Sequence, residues 1–131
     1  MFKYVIRNLK EKGHTVKITI NTKDVLEELM IADGVEFKNI LPNRRKKNNK
    51  FTALLTLLRK DVKIFFLQLK EGFDLMAGTE SALSHVGWLF RKPVLIFDED
   101  DVTVVPETSI ISFPFATKLV SPVSCDLGRW T

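Results

Sequence analysis

The chain of 131 residues and 15.0 kDa has the size of one domain and is long enough to bury a core. Its 45% hydrophobic and 27% charged residues exclude wholesale disorder and a collagenous repeat, and a lone cysteine, Cys125, excludes a disulfide scaffold. The net charge of +4 is unevenly placed: residues 42–63 hold 8 basic residues against 1 acidic residue, whereas residues 64–131 carry a net charge of −4.

Phe2, Val5, Ile6 and Leu9 recur at helical spacing, and Gly13 follows Lys10 and Lys12 where a left-handed cap closes a helix. Val16, Ile18 and Ile20 alternate as a strand over 16–20. Asn21 or Thr22 then caps a helix through Val25, Leu26, Leu29 and Met30 that stops at Gly34, and a second strand is expected over 35–39. Pro42 to Lys50 is a basic connection. After it Phe51, Leu54, Leu55, Leu58, Val62, Phe65, Phe66 and Leu69 form one long helical stripe, ended by Gly72. Strands are expected over 73–77, 94–97 and 118–121. The segments between them predict a helix from Ser81 to Phe90, a short helix from Pro106 through Ile111, and a turn at Phe113 to Phe115. Helices alternating with short, nearly all-apolar strands predict an α/β class with a parallel sheet, covered on both faces in three layers. Doubly wound domains begin on a central strand, whereas this chain begins on a helix, so a first strand is expected to be missing.

The stretch from Phe51 to Leu69 is interrupted by Arg59, Lys60, Asp61 and Lys63 and does not read as a membrane span. Ala53, Leu57, Ile64 and Leu67 fall opposite its main stripe, so the helix is apolar on two faces. Either both faces are buried, or one meets a partner or an anionic bilayer. For a bilayer the expected contacts are Arg44, Arg45, Lys46, Lys47 and Lys50 with Leu57 and Ile64 on the outer face, against the plain reading of the basic run as a solvated loop. Nucleic acid is not expected, because the basic run lacks interleaved aromatics and the C-terminal part is acidic. The lone thiol and the absence of a signal-peptide pattern predict a cytoplasmic protein, with the inner face of the membrane as its point of attachment.

The run from Leu9 to Val16, the segment Phe73 to Ser81, and Arg91 to Asp101 followed by Val105-Pro106 and Phe113 to Ala116 together resemble a glycosyltransferase-like family of unknown function, domain of unknown function 354. The tail from Ser121 through Cys125 to Gly128-Arg129-Trp130 continues the likeness. The resemblance implies the N-terminal Rossmann-like half of a two-Rossmann-domain (GT-B) architecture. In such proteins a first strand precedes the part that matches and a donor-binding domain follows it, so the chain reads as a fragment holding the acceptor-binding half. The implied partners are a sugar or lipid-linked acceptor, and a nucleotide-sugar donor only with the second domain. A non-catalytic binding module of the same fold and a sugar-nucleotide epimerase of the same architecture stand as alternatives.

Gly78, expected at the end of a strand and ahead of a helix, lets backbone N–H groups approach an anion, and the hydroxyls of Thr79 and Ser81 add donors. These three residues are the candidate acceptor site, against the plain reading of a capped strand-to-helix turn. Asp98 to Asp101 end the following strand, where ligands bind in open α/β sheets. Carboxylates there suit a general acid or base, and equally a divalent cation. Enzymes resembling UDP-N-acetylglucosamine 2-epimerase also place an acid in this turn, which makes Glu99 and Asp100 the candidate catalytic residues, against the plain reading of a solvated turn, with Asp101 the expected helix cap. His14, at the mouth of a strand, reads as structural. With only His14 and His85 and no Cys-x-x-Cys, no metal site and no cofactor are predicted, and neither Cys125 nor the serines sit in a nucleophile motif.

Overall fold

A computed structural model of the chain describes residues 2–21, 26–41, 49–104 and 106–130. Thr22, Val25, Val105 and the basic residues Arg44, Arg45, Lys46 and Lys47 lie outside the described residues. The chain is mixed helix and strand with parallel sheets, and it divides into two compact units, residues 1–47 and 48–131.

The first unit contains α1 (Lys3–Glu11), β1 (Thr19–Asn21), α2 (Leu26–Ala32) and β2 (Lys38–Leu41). Helix α1 ends where Gly13, at φ +84°, supplies the left-handed residue, with its N–H bonded to the Lys10 carbonyl. Strands β1 and β2 run parallel, pairing Thr19 with Lys38 and Ile20 with Asn39. Ile20 and Ile40 are buried, and the Lys3 ammonium pairs with Asp33 at 2.9 Å on the surface.

The second unit opens on α3 (Lys50–Glu71) and continues through β3 (Met76–Gly78), α4 (Ser81–Leu89), β4 (Val94–Phe97), α5 (Pro106–Ser112) and β5 (Lys118–Val120), with 3-10 turns at Phe113–Phe115 and Gly128–Trp130. The strands form one parallel sheet in the order β3-β4-β5. Met76 pairs with Val94, Gly78 with Ile96, and Ile96 with Leu119, so these side chains share one face. Helix α4 packs on that face, and Val94 and Ile96 beneath it are essentially solvent-free. Gly87 permits the approach: a Cβ there would lie 2.0 Å from Val94 Cγ2. Helices α3 and α5 both pack on α4. On the opposite face Ala77, Lys118 and Val120 are exposed and Leu95 and Phe97 half-buried, so within this unit the expected three layers are two, one of sheet and one of helix.

The expected elements are present in the expected order, but the strands begin later. Those expected over 16–20, 35–39 and 73–77 run over Thr19–Asn21, Lys38–Leu41 and Met76–Gly78. For β3 the reason is visible: the Gln68 side chain accepts from the Phe73 N–H and donates to the Phe73 carbonyl. Phe73 is therefore held by α3, and ladder pairing starts at Met76, whose N–H reaches the Pro93 carbonyl.

The two faces of α3 are the reverse of the expected assignment. Ile64 is 4% exposed and Leu67 is buried with Gln68, whereas Phe51 is 77% and Phe66 61% exposed. Leu57 is half-buried. Ile64 is thus a core residue and Leu57 lies at its margin, and neither stands on an outer face available to a membrane. Lys50 remains exposed at the start of the helix.

Candidate functional site

Because β3 and β4 are adjacent, parallel and in register at Gly78 and Ile96, the turns that follow them emerge at the same edge of the sheet. The first is Gly78-Thr79-Glu80-Ser81, leading into α4. A Cβ at Gly78 would come within 2.7 Å of the end of the Leu83 side chain, so the glycine also serves packing. Thr79 is exposed, Ser81 is half-buried as the first residue of α4, and its carbonyl accepts the Ser84 hydroxyl at 2.7 Å. Glu80 is extended at the N-cap position without a side-chain cap bond, and its carboxylate instead meets the Lys60 ammonium at 2.6 Å. An anion at this turn would therefore face a neutralised glutamate rather than a bare one.

The second turn is Asp98 to Asp101, and its four acids divide by what they hold. Asp98 Oδ1 accepts the Asp100 N–H at 3.2 Å, which closes the turn on itself. Asp101 Oδ1 accepts the Asp126 N–H at 2.7 Å, and the Val102 N–H returns to the Asp126 carbonyl. Asp101 is thus a tie to the C-terminal loop and not the helix cap expected from sequence. Asp126 accepts the Gly128 N–H, and the Cys125 thiol donates to the Glu99 carbonyl at 3.1 Å. Glu99 and Asp100 are exposed, which leaves them as the acids of this turn presented outward. Among the described residues no three His, Cys, Asp or Glu side chains converge as a metal site.

Two features carried no sequence signal. Asp61 on α3 holds His85 on α4, both carboxylate oxygens lying 3.1 Å from Nδ1, and Nε2 lies 2.8 Å from the Ile111 carbonyl on α5. Both ring nitrogens thus lie within hydrogen-bond distance of oxygens on the two neighbouring helices. This residue ties three helices together and is structural. At the other edge of the sheet, Trp88, Leu89, Arg91, Pro93 and Phe115 border an open groove of ≈ 680 Å³. It lies at the amino ends of β4 and β5, and none of the sequence-predicted site residues lines it. The carboxyl edge remains the better candidate, because there the glycine turn after β3 and the exposed acids after β4 follow paired neighbouring strands. His14 is exposed behind Gly13, its N–H bonded to the Leu9 carbonyl, in keeping with a capping segment.

No family model, curated protein or solved structure matches the chain.

Proposed function

We propose that the chain is the acceptor-binding part of a glycosyltransferase-like protein of Rossmann-like, GT-B type. The observation that supports this reading most directly is the shared sheet edge, where the Gly78 to Ser81 turn and the exposed acids Glu99 and Asp100 follow neighbouring parallel strands. The resemblance of Phe73 to Ser81 and of Arg91 to Asp101 to the glycosyltransferase-like family supports it further. On this reading Gly78, Thr79 and Ser81 receive a sugar or lipid-linked acceptor, and Glu99 or Asp100 takes the proton of the acceptor hydroxyl. The freed oxygen forms the new bond to the anomeric carbon as the bond from that carbon to the nucleotide diphosphate breaks. Donor binding belongs to a second domain in the enzymes the chain resembles, so the isolated chain is expected to bind an acceptor and to show no transfer.

The test is an amide NMR titration of the chain with N-acetylglucosamine, with farnesyl phosphate as a soluble mimic of a lipid-linked acceptor, and with UDP-glucose. Shifts grouped at residues 78–81 and 98–101 with either acceptor probe, and none there with UDP-glucose, are the expected result. Silence with both acceptor probes, or UDP-glucose acting at those same amides, overturns the proposal.

A further inference from the structure

The most conspicuous surface of the second unit is the outward face of α3. Phe51, Leu54, Leu58, Val62, Phe66 and Leu69 succeed one another at steps of three and four, so they form a single stripe along the helix, and each is more than half exposed. The opposite side of the same helix is already occupied, with Ile64, Leu67 and Gln68 buried and Lys60 and Asp61 bonded to Glu80 and His85 of the α4 segment. The stripe is therefore not the helix's way into its own core. Soluble monomers rarely leave so continuous an apolar patch in water.

Charge indicates what covers it. At 100° per residue, Arg59, Lys63 and Lys70 fall together along one flank of the stripe, all exposed, and no acidic residue of α3 shares that flank. A shallow depression of ≈ 260 Å³ lies between Leu58 and Val62 of the stripe and Arg59 and Lys63 of the flank, which sets an apolar floor directly beside two cations. A second copy of the chain docking antiparallel, stripe to stripe, would bring the two basic flanks to the same side and repel. An anionic bilayer receives both features at once: acyl chains take the stripe, and lipid phosphates or carboxylates take the flank. Lys50 stands at the start of the helix, three residues after the Arg44 to Lys47 run in the sequence.

We infer that α3 is a monotopic membrane-docking helix that lies in the interface of an anionic bilayer on its Phe51-Leu54-Leu58-Val62-Phe66-Leu69 face. This inference does not rest on the glycosyltransferase-like reading, since it concerns the face of α3 opposite the side whose Lys60 meets Glu80, and its assay involves neither acceptor nor donor. It differs from the expectation drawn from sequence in the face that docks, which excludes Ile64 and Leu57.

The test is co-sedimentation of the full chain with phosphatidylserine–phosphatidylcholine vesicles and with phosphatidylcholine vesicles alone, at low and high salt. Binding is expected with the anionic vesicles at low salt. It should fall at least tenfold in a Leu58→Ser, Val62→Ser, Phe66→Ser variant, and lose its preference for phosphatidylserine in an Arg59→Ser, Lys63→Ser, Lys70→Ser variant. All six positions are exposed, so both variants are expected to fold, and circular dichroism verifies that. A Phe66→Trp variant should show blue-shifted emission on adding anionic vesicles, measured as a difference from wild type. No pelleting of the folded wild type with anionic vesicles at low salt, or equal pelleting of the apolar triple variant, overturns the inference. So does a concentration-dependent dimer that the same triple variant abolishes, since a second copy would then own the face.

Discussion

Replacing Gly87 by Ala tests how closely α4 seats on the sheet. The added Cβ would lie 2.0 Å from Val94 Cγ2 and 3.4 Å from the Lys92 carbonyl oxygen, where carbon atoms normally rest about 3.5–4.0 Å apart. Val94 is fully buried against its β3 and β5 neighbours, so either α4 lifts by about 1.5 Å or Val94 leaves its rotamer. Overpacking of this kind costs about 1–3 kcal/mol, and a shortfall this large belongs near the upper end. The better helix propensity of alanine returns about 1 kcal/mol. A net loss of about 2 kcal/mol is expected, equivalent to a Tm lower by about 6–10 °C for a chain of this length. Both tryptophans, Trp88 and Trp130, lie in the second unit, so urea unfolding followed by their fluorescence reports the unit in which the clash occurs. Adding Val94→Ala removes the clashing methyl, so the double variant should be no less stable than Val94→Ala alone. A Gly87→Ala protein as stable as wild type, or strict additivity in the double variant, would refute the close seating of α4.

Other positions give independent checks. His85→Ala, which strands the Asp61 carboxylate and the Ile111 carbonyl together, should cost about 2 kcal/mol in the same unfolding assay. A cycle with Asp61→Ala should show a coupling of about 1 kcal/mol, and no coupling would mean that the pair is incidental. Arg91 occupies the left-handed position after α4 at φ +54°, where glycine is unstrained, and the Arg91 and Lys92 N–H groups close the turn on Trp88 and Gly87. Arg91→Gly should therefore raise Tm by about 2–5 °C, from a gain of about 0.5–1 kcal/mol, and a fall in Tm would show that the arginine side chain holds the turn.

How much could be read from sequence depended on whether a feature was local. Glycine caps, apolar periodicity and the acid-terminated strand are written in neighbouring residues, and the helices, their order and the parallel strands followed from them. The face of α3 was not local. Counting apolar residues favours the Phe51 to Leu69 stripe as the buried side, because it is longer and bulkier. The structure buries the side that carries Lys60, Asp61 and Gln68, and it does so because each has a partner: Glu80 and His85 lie 20 and 24 residues away, and the Phe73 backbone lies just past the helix end. A buried polar group is tolerable only when it is paired, and single-residue patterns do not reveal the pair. The late start of β3 has the same origin in Gln68. The mistaken role for Asp101 has it too, since the N–H that Asp101 accepts belongs to Asp126, 25 residues further on.

The same division of labour among the acids leads to a sharper test of the candidate site than activity alone. Asp98 and Asp101 accept backbone N–H groups that fix the turn, and Asp126 does the same for the loop joined to it. Glu99 and Asp100, exposed between them, contribute a carbonyl bond to Cys125 and a backbone N–H to Asp98, interactions that a side-chain amide would leave intact. Removing their charge should therefore separate function from folding. A Glu99→Gln, Asp100→Asn variant should keep wild-type stability to within about 0.5 kcal/mol, as exposed substitutions away from packing usually do. It should still bind the acceptor probes through the 78–81 turn, and should abolish transfer wherever the chain is joined to a donor-binding domain. Asp101→Ala should instead cost about 1 kcal/mol by orphaning the Asp126 N–H, while Asp101→Asn, which keeps an oxygen acceptor, should cost less. Thermal unfolding of the three variants decides the matter. Equal destabilisation of all of them would make the whole turn a structural element, and would remove Glu99 and Asp100 as candidates for acid–base chemistry.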